Sequence, residues 1–474
     1  MKRIDILPDE VLLEMFDFNM DMYPFYGIKT HAEAWQTLVH VCRRWRSLVL
    51  GSPRRLNLRL YCTPSTPAKD NLDVWPALPL IIEGIVDIST TSENIISALG
   101  QSDRVRQVDL QLSSRNLERV LAAMQVPFPE LTRIQLLFLL SDDETPPVIP
   151  DSFLGGSATR LQSLQLLGIP FPGLPKLLSS ATHLVYLELS NLPHSGYISP
   201  EAMVDLLSVL SRLSGFSLEF QSAYSRPSRE SRGLPPLNRF ILPVLNKFRF
   251  KGVTDYLEEF VTRIDIPQLD EIDITFFSRI DFDCCRLAQF INRTPTLSRA
   301  YYRAHVQFYD SVVTVTLRYQ KSDSETGSGY LPIGILFEEP NMQLSAIEQV
   351  CNSSFHALTT VEDLYIEHRY WGLVLKNHDS IDETQWLRLL RPFTAVKNLY
   401  ISREFALGIA ADLKELIGGR ITEVLPSLQN IFIRPWEPIQ NYFEQFIAAR
   451  RHSDHPIAIS VWEKSDSDSD EQSM

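Results

Sequence analysis

The chain has 474 residues, 44% of them hydrophobic, and a formal net charge of −13. At roughly 100–200 residues per domain that length allows about three domains, fewer if repeats are present. The sign of the charge argues against a broad phosphate-binding surface and so against nucleic acid, no apolar run approaches the roughly 18 residues of a spanning helix, and the polar N-terminus has no apolar export segment.

In chain order, the first element is a helix predicted from Pro8. Proline suits the first helical position, where a missing N–H costs nothing, and Asp9 and Glu10 complement the positive helix start. Val11, Leu12, Met15 and Phe16 then fall on one apolar stripe, with Asp9 and Glu14 on the wet side. A second run covers Ala34 to Leu50, where Trp35, Leu38, Val39, Cys42, Trp45 and Leu48 or Val49 recur at helical steps and Arg43, Arg44 and Arg46 take the other side. Two or three helices of this size bury too little to stand alone, so part of their apolar surface calls for a partner.

The opening Leu7-Pro8-Asp9-Glu10-Val11-Leu12, followed by Leu38-Val39-His40-Val41-Cys42-Arg43-Arg44-Trp45-Arg46, resembles the F-box of large fungal (basidiomycete-type) F-box protein families. Ser52-Pro53-Arg54-Arg55-Leu56-Asn57-Leu58-Arg59-Leu60 and Trp75-Pro76-Ala77-Leu78-Pro79 are similar to the same group. The chain departs from the compact animal pattern between Phe16 and Trp35, where a segment rich in Asn, Asp, Met, Tyr and Pro separates the helices. The resemblance implies that residues 1–60 form a helical F-box module binding a Skp-type adaptor. Leu7, Pro8, Val11, Leu12, Met15 and Phe16 would face that adaptor or support the face, while Leu38, Val41, Cys42 and Trp45 would close the same small bundle. An indole as central as Trp45 is core first.

Residues 61–104 read as a connecting segment, and residues 105–464 as an irregular leucine-rich-repeat-like body. The repeat template is apolar-x-x-apolar-x-apolar, the strand signature of such repeats. It recurs as Val105-Val108-Leu110, Leu131-Ile134-Leu136, Leu161-Leu164-Leu166, Leu184-Leu187-Leu189, Leu213-Phe216-Leu218 and Leu245-Phe248-Phe250. Further copies are Leu269-Ile272-Ile274, Leu297-Ala300-Tyr302, Val361-Leu364-Ile366, Val396-Leu399-Ile401 and Leu428-Ile431-Ile433. The last two positions of each copy share a strand face, so parallel stacking gives one continuous core that no single repeat provides. Helices to cover it are predicted at Asn116 to Met124, Pro200 to Leu210, Val253 to Ile264, Phe282 to Asn292, Glu383 to Leu390 and Phe405 to Ile417. In the one long gap between copies, Val312 to Tyr319 and Leu331 to Phe337 read as a hairpin or meander standing where a helix is expected.

Several stretches admit sharper readings. Arg226, Arg229, Arg232 and Arg239 lie among Ser, Pro and Gly, either as a substrate-binding loop for an acidic or phosphorylated segment or, preferred on composition, as a solvated insertion. Similar Arg-Pro-x-Arg-Glu-Ser-Arg loops and a segment like Lys251 to Asp270 belong to the fungal group resembled. Cys284-Cys285 has no metal spacing and reads as core thiols; with Cys42, Cys62 and Cys351 the five cysteines form no disulfide framework, which points to free thiols in a reducing compartment, the cytoplasm or nucleus. His452 and His455 read as exposed polar residues. Tyr365, His368, Tyr370 and Trp371, like Tyr301 and Tyr302, line a pocket if their strands are exposed and otherwise belong to the core, the preferred reading. Residues 465–474 alternate Ser with acid and read as a disordered, solubilising tail.

No phosphate loop, nucleophile elbow, zinc-protease motif or Cys-x-x-Cys pair is present, so no catalysis and no cofactor is expected. The fold class expected is α/β, a small helical F-box followed by an irregular leucine-rich-repeat-like solenoid with a concave face. The resemblance then implies a substrate receptor of an SCF-type ubiquitin ligase: a Skp-type adaptor on the F-box, a cullin-RING complex through it, and an unknown protein substrate on the repeats. A repeat-based interaction scaffold outside ubiquitination shares every feature, and a ligand-binding repeat protein with a relic F-box is a third reading.

Overall fold

The computed structural model of the chain describes residues 7–21, 31–53, 56, 58–68, 72, 76–87, 92–139, 145–225, 239–277, 285–309, 311–319, 330–337, 343–352, 356–368, 385–417, 420–434 and 440–462. The chain divides into two units, Met1–Gly196 and Tyr197–Met474. Among the described residues no helix is long and apolar enough to cross a membrane.

The first unit opens with helices α1 (Asp9–Asp21), α2 (His31–Val41) and α3 (Arg43–Gly51). Helix α1 starts one residue later than predicted, and the Pro8 carbonyl accepts its first helical hydrogen bond from Leu12 N at 3.1 Å. The run from Ala34 to Leu50 is two helices. Cys42 is fully extended (φ −158°, ψ 170°) and its Sγ accepts from Trp45 N at 3.4 Å, which ends one helix and caps the next. Leu12, Phe16, Trp35, Leu38 and Val49 are buried, and the Phe16 ring meets Trp45 edge-on at 4.7 Å. Arg44 ties α3 to the start of α1, with Nη2 2.5 Å from Asp9 Oδ1 and 2.6 Å from the Leu7 carbonyl.

The rest of this unit is a parallel sheet in sequence order: β1 (Leu60–Cys62), β2 (Leu80–Val86), β3 (Val105–Leu112), β4 (Arg133–Phe138), β5 (Ser163–Leu167) and β6 (Tyr186–Leu192). Helices α4 (Glu93–Leu99), α5 (Ser114–Ala123) and α6 (Leu174–Leu178) fall between strands, and α4 and α5 pack on each other and on β2 and β3. One buried row crosses the sheet in register through Cys62, Ile82, Val108, Ile134, Leu164 and Leu187. The sheet therefore begins inside the stretch expected to be a connector. Strand β2 escaped the apolar template because the next row, leucine at 110, 136, 166 and 189, has Gly84 in β2. Gly84 lies at φ +141°, and the Pro64 ring fills the space, 2.6 Å from where a Cβ would stand.

The second unit contains helix α7 (Pro200–Ser208), β7 (Gly215–Phe220), β8 (Phe240–Ile241), β9 (Lys247–Gly252), α8 (Thr254–Thr262), β10 (Ile264–Asp265), β11 (Glu271–Phe277) and α9 (Cys285–Arg293). It continues with β12 (Arg303–Phe308), β13 (Val312–Arg318), β14 (Tyr330–Leu336), α10 (Gln343–Asn352), β15 (Asp363–His368), α11 (Gln385–Leu390), β16 (Asn398–Ile401), α12 (Arg403–Lys414), β17 (Asn430–Ile433), α13 (Gln440–His452) and β18 (Ala458–Val461). Strands β8 and β10 form a small parallel pair of their own. The main sheet runs β7-β9-β11-β14-β13-β12-β15-β16-β17-β18. The expected meander is real and is inserted backwards: β13 is antiparallel to both neighbours, while β14 joins β11 and β12 joins β15 in parallel. Its register nonetheless continues one core row through Leu218, Phe250, Ile274, Ile333, Val315, Val306, Ile366, Ile401 and Ile433, all buried.

One strand copy is displaced from its predicted place. Leu297-Ala300-Tyr302 lies in a turn, and the strand is Arg303–Phe308, so the template is Tyr301-Ala304-Val306, with a tyrosine and an alanine where larger aliphatics stand elsewhere. The predicted helices appear within a few residues of their expected bounds, and residues 281–284 and 381–384 lie outside the described residues. Buried acids cap helix starts across repeats: Glu258 accepts from Arg286 N and Leu287 N at 2.9 and 2.8 Å, and Asp412 from Trp386 N at 2.9 Å. If the core row carries the stability, Ile366→Ala is expected to cost about 2–5 kcal/mol in urea denaturation followed by circular dichroism. Leu407→Ala, on the exposed side of α12, is expected to stay within about 0.5 kcal/mol.

Candidate interaction surfaces

Burying one side of each strand turns the alternate residues to the opposite sheet face. In the second unit that face, from β12 to β18, is organised as three rows. The first runs Arg303, Asp363, Asn398, Asn430 and Ala458; the second His305, Tyr365, Tyr400, Phe432 and Ser460; the third begins with Gln307 and Glu367. In-register parallel pairing places like residues side by side, and the second row becomes a stack. Ring centroids are 4.4 Å apart for His305 and Tyr365, 4.1 Å for Tyr365 and Tyr400, and 4.6 Å for Tyr400 and Phe432, all within 10° of parallel. Trp462, just past β18, lies across the stack at 5.6 Å from Tyr365 and 5.4 Å from Tyr400.

The charges of this face are paired through the rows. Asn430 Nδ2 donates to Asn398 Oδ1, and Asn398 Nδ2 to Asp363 Oδ1, both at 2.8 Å. Glu367 accepts from Arg434 Nη2 at 3.1 Å, and Arg434 lies over the Trp462 ring at 4.8 Å from its centroid. Arg303 stands 5.2 Å from the Tyr365 ring centroid and 3.9 Å from Asp363. The two carboxylates are nearly sealed, with side chains 6% (Asp363) and 5% (Glu367) exposed, whereas Arg303 and Arg434 keep 26% and 29%. Burial with compensating partners fits the rule for interior acids. Burial raises the Tyr365 and Tyr400 hydroxyls above their ordinary range. It lowers the His305 imidazole, whose buried nitrogens have no hydrogen-bond partner among the described residues; Glu367, 3.9 Å from Nδ1, opposes that shift, and Arg318 and Arg303 reinforce it.

The corresponding face of the first unit is different. Glu83, Asp109, Gln135, Gln165 and Glu188 form one row without aromatic residues, and burial raises the Glu83 and Asp109 carboxyls. A hollow of about 370 Å³ at the strand starts is lined by Arg106, Glu130, Thr132, Arg160, Gln162 and His183, with Arg160 paired to Glu130.

The helical module presents a third surface. The stripe on α1 divides: Leu12 and Phe16 are buried with Leu38, whereas Val11 and Met15 are 39% and 48% exposed and Val41, at the end of α2, 59%. Pro8 is exposed, and Leu7, Cys42 and Trp45 are half-buried.

Of the other singled-out residues, Arg239 is exposed, 3.9 Å from Asp265, while Arg226, Arg229 and Arg232 lie outside the described residues, as do Cys284, Tyr370, Trp371 and the tail 465–474. Cys42, Cys62, Cys285 and Cys351 are free thiols, and Cys285 is half-buried rather than core. His452 and His455 are exposed. Tyr301 is core, its hydroxyl donating to the Leu297 carbonyl at 2.8 Å, and Tyr302 is half-buried. Tyr365 is not core, because its odd place in the strand, between Leu364 and Ile366, turns it to the opposite face. His368 stays on the helix side, 6.3 Å from the Phe405 ring. Sequence reasoning missed His305, Tyr400, Phe432, Arg434 and Trp462. The available signal was the residue between the last two template positions of each copy: tyrosine at 365 and 400 and phenylalanine at 432.

No family model and no curated protein matches this chain. Among solved structures, the chain is similar to the leucine-rich-repeat-containing protein LegL7 from Legionella pneumophila, at 12% identity over 82% of this chain and 97% of that one, with a TM-score of 0.26. So slight a likeness carries no argument about fold or function, and the repeat character rests on the strand register described above.

The stack carries a pH signature. Because the folded chain holds His305 below the ordinary value, stability from its neutral form is fully present above that value and is lost as pH falls through the lower, folded one. Between about pH 7 and about pH 5 the urea midpoint of the wild type is expected to fall more than that of His305→Phe, which keeps the stack and removes the titration.

Proposed function

We propose that this chain is a non-catalytic substrate receptor of an SCF-type ubiquitin ligase, working in the cytoplasm or nucleus without a cofactor. The helical module would bind a Skp-type adaptor and, through it, a cullin-RING complex, while the repeat body holds a protein substrate. Its task is positioning: it raises the effective concentration of a substrate lysine beside a ubiquitin thioester on another protein.

The observation that carries this reading is the division of the α1 stripe. Leu12 and Phe16 fill the bundle, while Val11, Met15 and Val41 stay exposed, apolar side chains left available to a partner. The resemblance to F-box sequences at Leu7 to Leu12 and Leu38 to Arg46 supports the choice of partner. The long ladder face supports a repeat body used for protein interaction, a role that also suits a scaffold outside ubiquitination.

Purified full-length chain is expected to bind a Skp-type adaptor in calorimetry. Val11→Asp with Met15→Asp, both exposed sites, is expected to weaken binding by at least about tenfold while leaving the melting temperature unchanged. A folded wild type that does not bind the adaptor overturns the receptor reading. Binding without substrate ubiquitination in the reconstituted ligase would favour the scaffold.

A further inference from the structure

We propose that the ladder face between β12 and β18 docks an extended acidic peptide segment of a protein partner, with Arg303 and Arg434 as its anion contacts and Trp462 and the tyrosine edges as its apolar ones. The inference rests on the reading of the repeat body as the substrate-holding part, and it names the class of substrate; it does not depend on the adaptor.

Three observations support it. The first is the sign of the accessible charge. Both arginines keep more than a quarter of their side chains exposed, whereas the acids that hold them lie at 5–6%. The more exposed member of each ion pair on this face is therefore the cation, which favours an anionic partner. The second is composition, because tyrosine, tryptophan and arginine packed together are the side chains that carry protein interfaces, and here they are pre-ordered by stacking and ion pairing, so little freedom is lost on binding. The third is the orientation of the rings. Tyr365 and Tyr400 have both ring faces covered by stacked neighbours at 4.1–4.6 Å, and His305 and Phe432 one face each, so what the tyrosines present to a partner is edge rather than face. Single-stranded nucleic acid needs open ring faces for its bases, so this stack does not serve it, and the overall charge of −13 opposes it as well. A peptide needs hydrogen bonds and edge contacts, and the Asn398 and Asn430 amides, bonded along their row through one N–H each, retain a second N–H and further acceptor capacity.

The test is fluorescence anisotropy on full-length protein with three labelled probes: an alternating Glu-Tyr peptide, the same peptide with Lys for Glu, and an oligouridylate. The Glu peptide is expected to bind the wild type at least about tenfold tighter than either other probe. Arg303→Gln with Arg434→Gln is expected to weaken it about tenfold or more, and Arg249→Gln with Lys251→Gln, cationic positions on β9 outside the ladder, less than about twofold. Should the first pair compromise folding, Ser460→Glu is the decisive variant: it is exposed beside Phe432, and its added carboxylate is expected to weaken the Glu peptide about fivefold or more. Equal binding of the Glu and Lys peptides, preference for the oligouridylate, equal loss in the β9 variant or no effect of Ser460→Glu would each overturn the proposal. Binding that emerges only after Asp466→Asn, Asp468→Asn, Asp470→Asn and Glu471→Gln would also overturn it, by assigning the face to the chain's own acidic tail. Adaptor binding measured on the same preparations separates failure here from failure of the receptor reading.

Discussion

In-register burial is the constraint on which the other features depend. A strand in this chain is stable only when its inward residues meet those of both neighbours at the same level, as Ile366 meets Val306 on one side and Ile401 on the other. Each repeat supplies part of a row and none supplies enough to fold alone, since backbone ordering costs on the order of 1–2 kcal/mol per residue. Irregular spacing between copies is tolerated because the connections lie off the sheet, and only the level of each strand must match.

The same constraint produces the ladder. With a side-chain period of two, any register that aligns Leu364 with Leu399 and Ile431 must also align Tyr365 with Tyr400 and Phe432. The aromatic stack is thus the reverse side of the core rows. Around it, carboxylates at 363 and 367 are drawn below the surface, and the arginines that compensate them reach outward. Burial of the acids and exposure of the cations are two consequences of one arrangement, and together they set the sign of the face.

The backward meander obeys the constraint by a different route. Strand β13 runs against its neighbours, yet Val315 pairs with Val306 and Ile333, so the apolar row passes through without a break. An antiparallel hairpin keeps alternation as faithfully as a parallel pair, so the insertion leaves the core continuous.

Much of this was legible in the sequence. The spacing of Val361, Leu364 and Ile366, and of its counterparts, is enough to place a strand and its buried face, because aliphatic residues at fixed intervals have few other uses. The helix at Asp9, the meander and the buried place of Tyr301 follow in the same way. Strand β2 was illegible because a proline 20 residues earlier does the filling that a leucine does elsewhere, and β12 because tyrosine and alanine satisfy its template. The split of the α1 stripe also needed tertiary structure: Val11 and Leu12 are equally apolar in sequence, and only the positions of α2 and α3 decide which is covered. The ladder shows the limit most clearly. Sequence alone determined that residues 365, 400 and 432 are aromatic, but which residues lie beside them depends on strand order, and the meander places β12 next to β15 across some 55 residues of chain. Local pattern sets what each strand buries; strand order, a long-range property, decides what its other side meets.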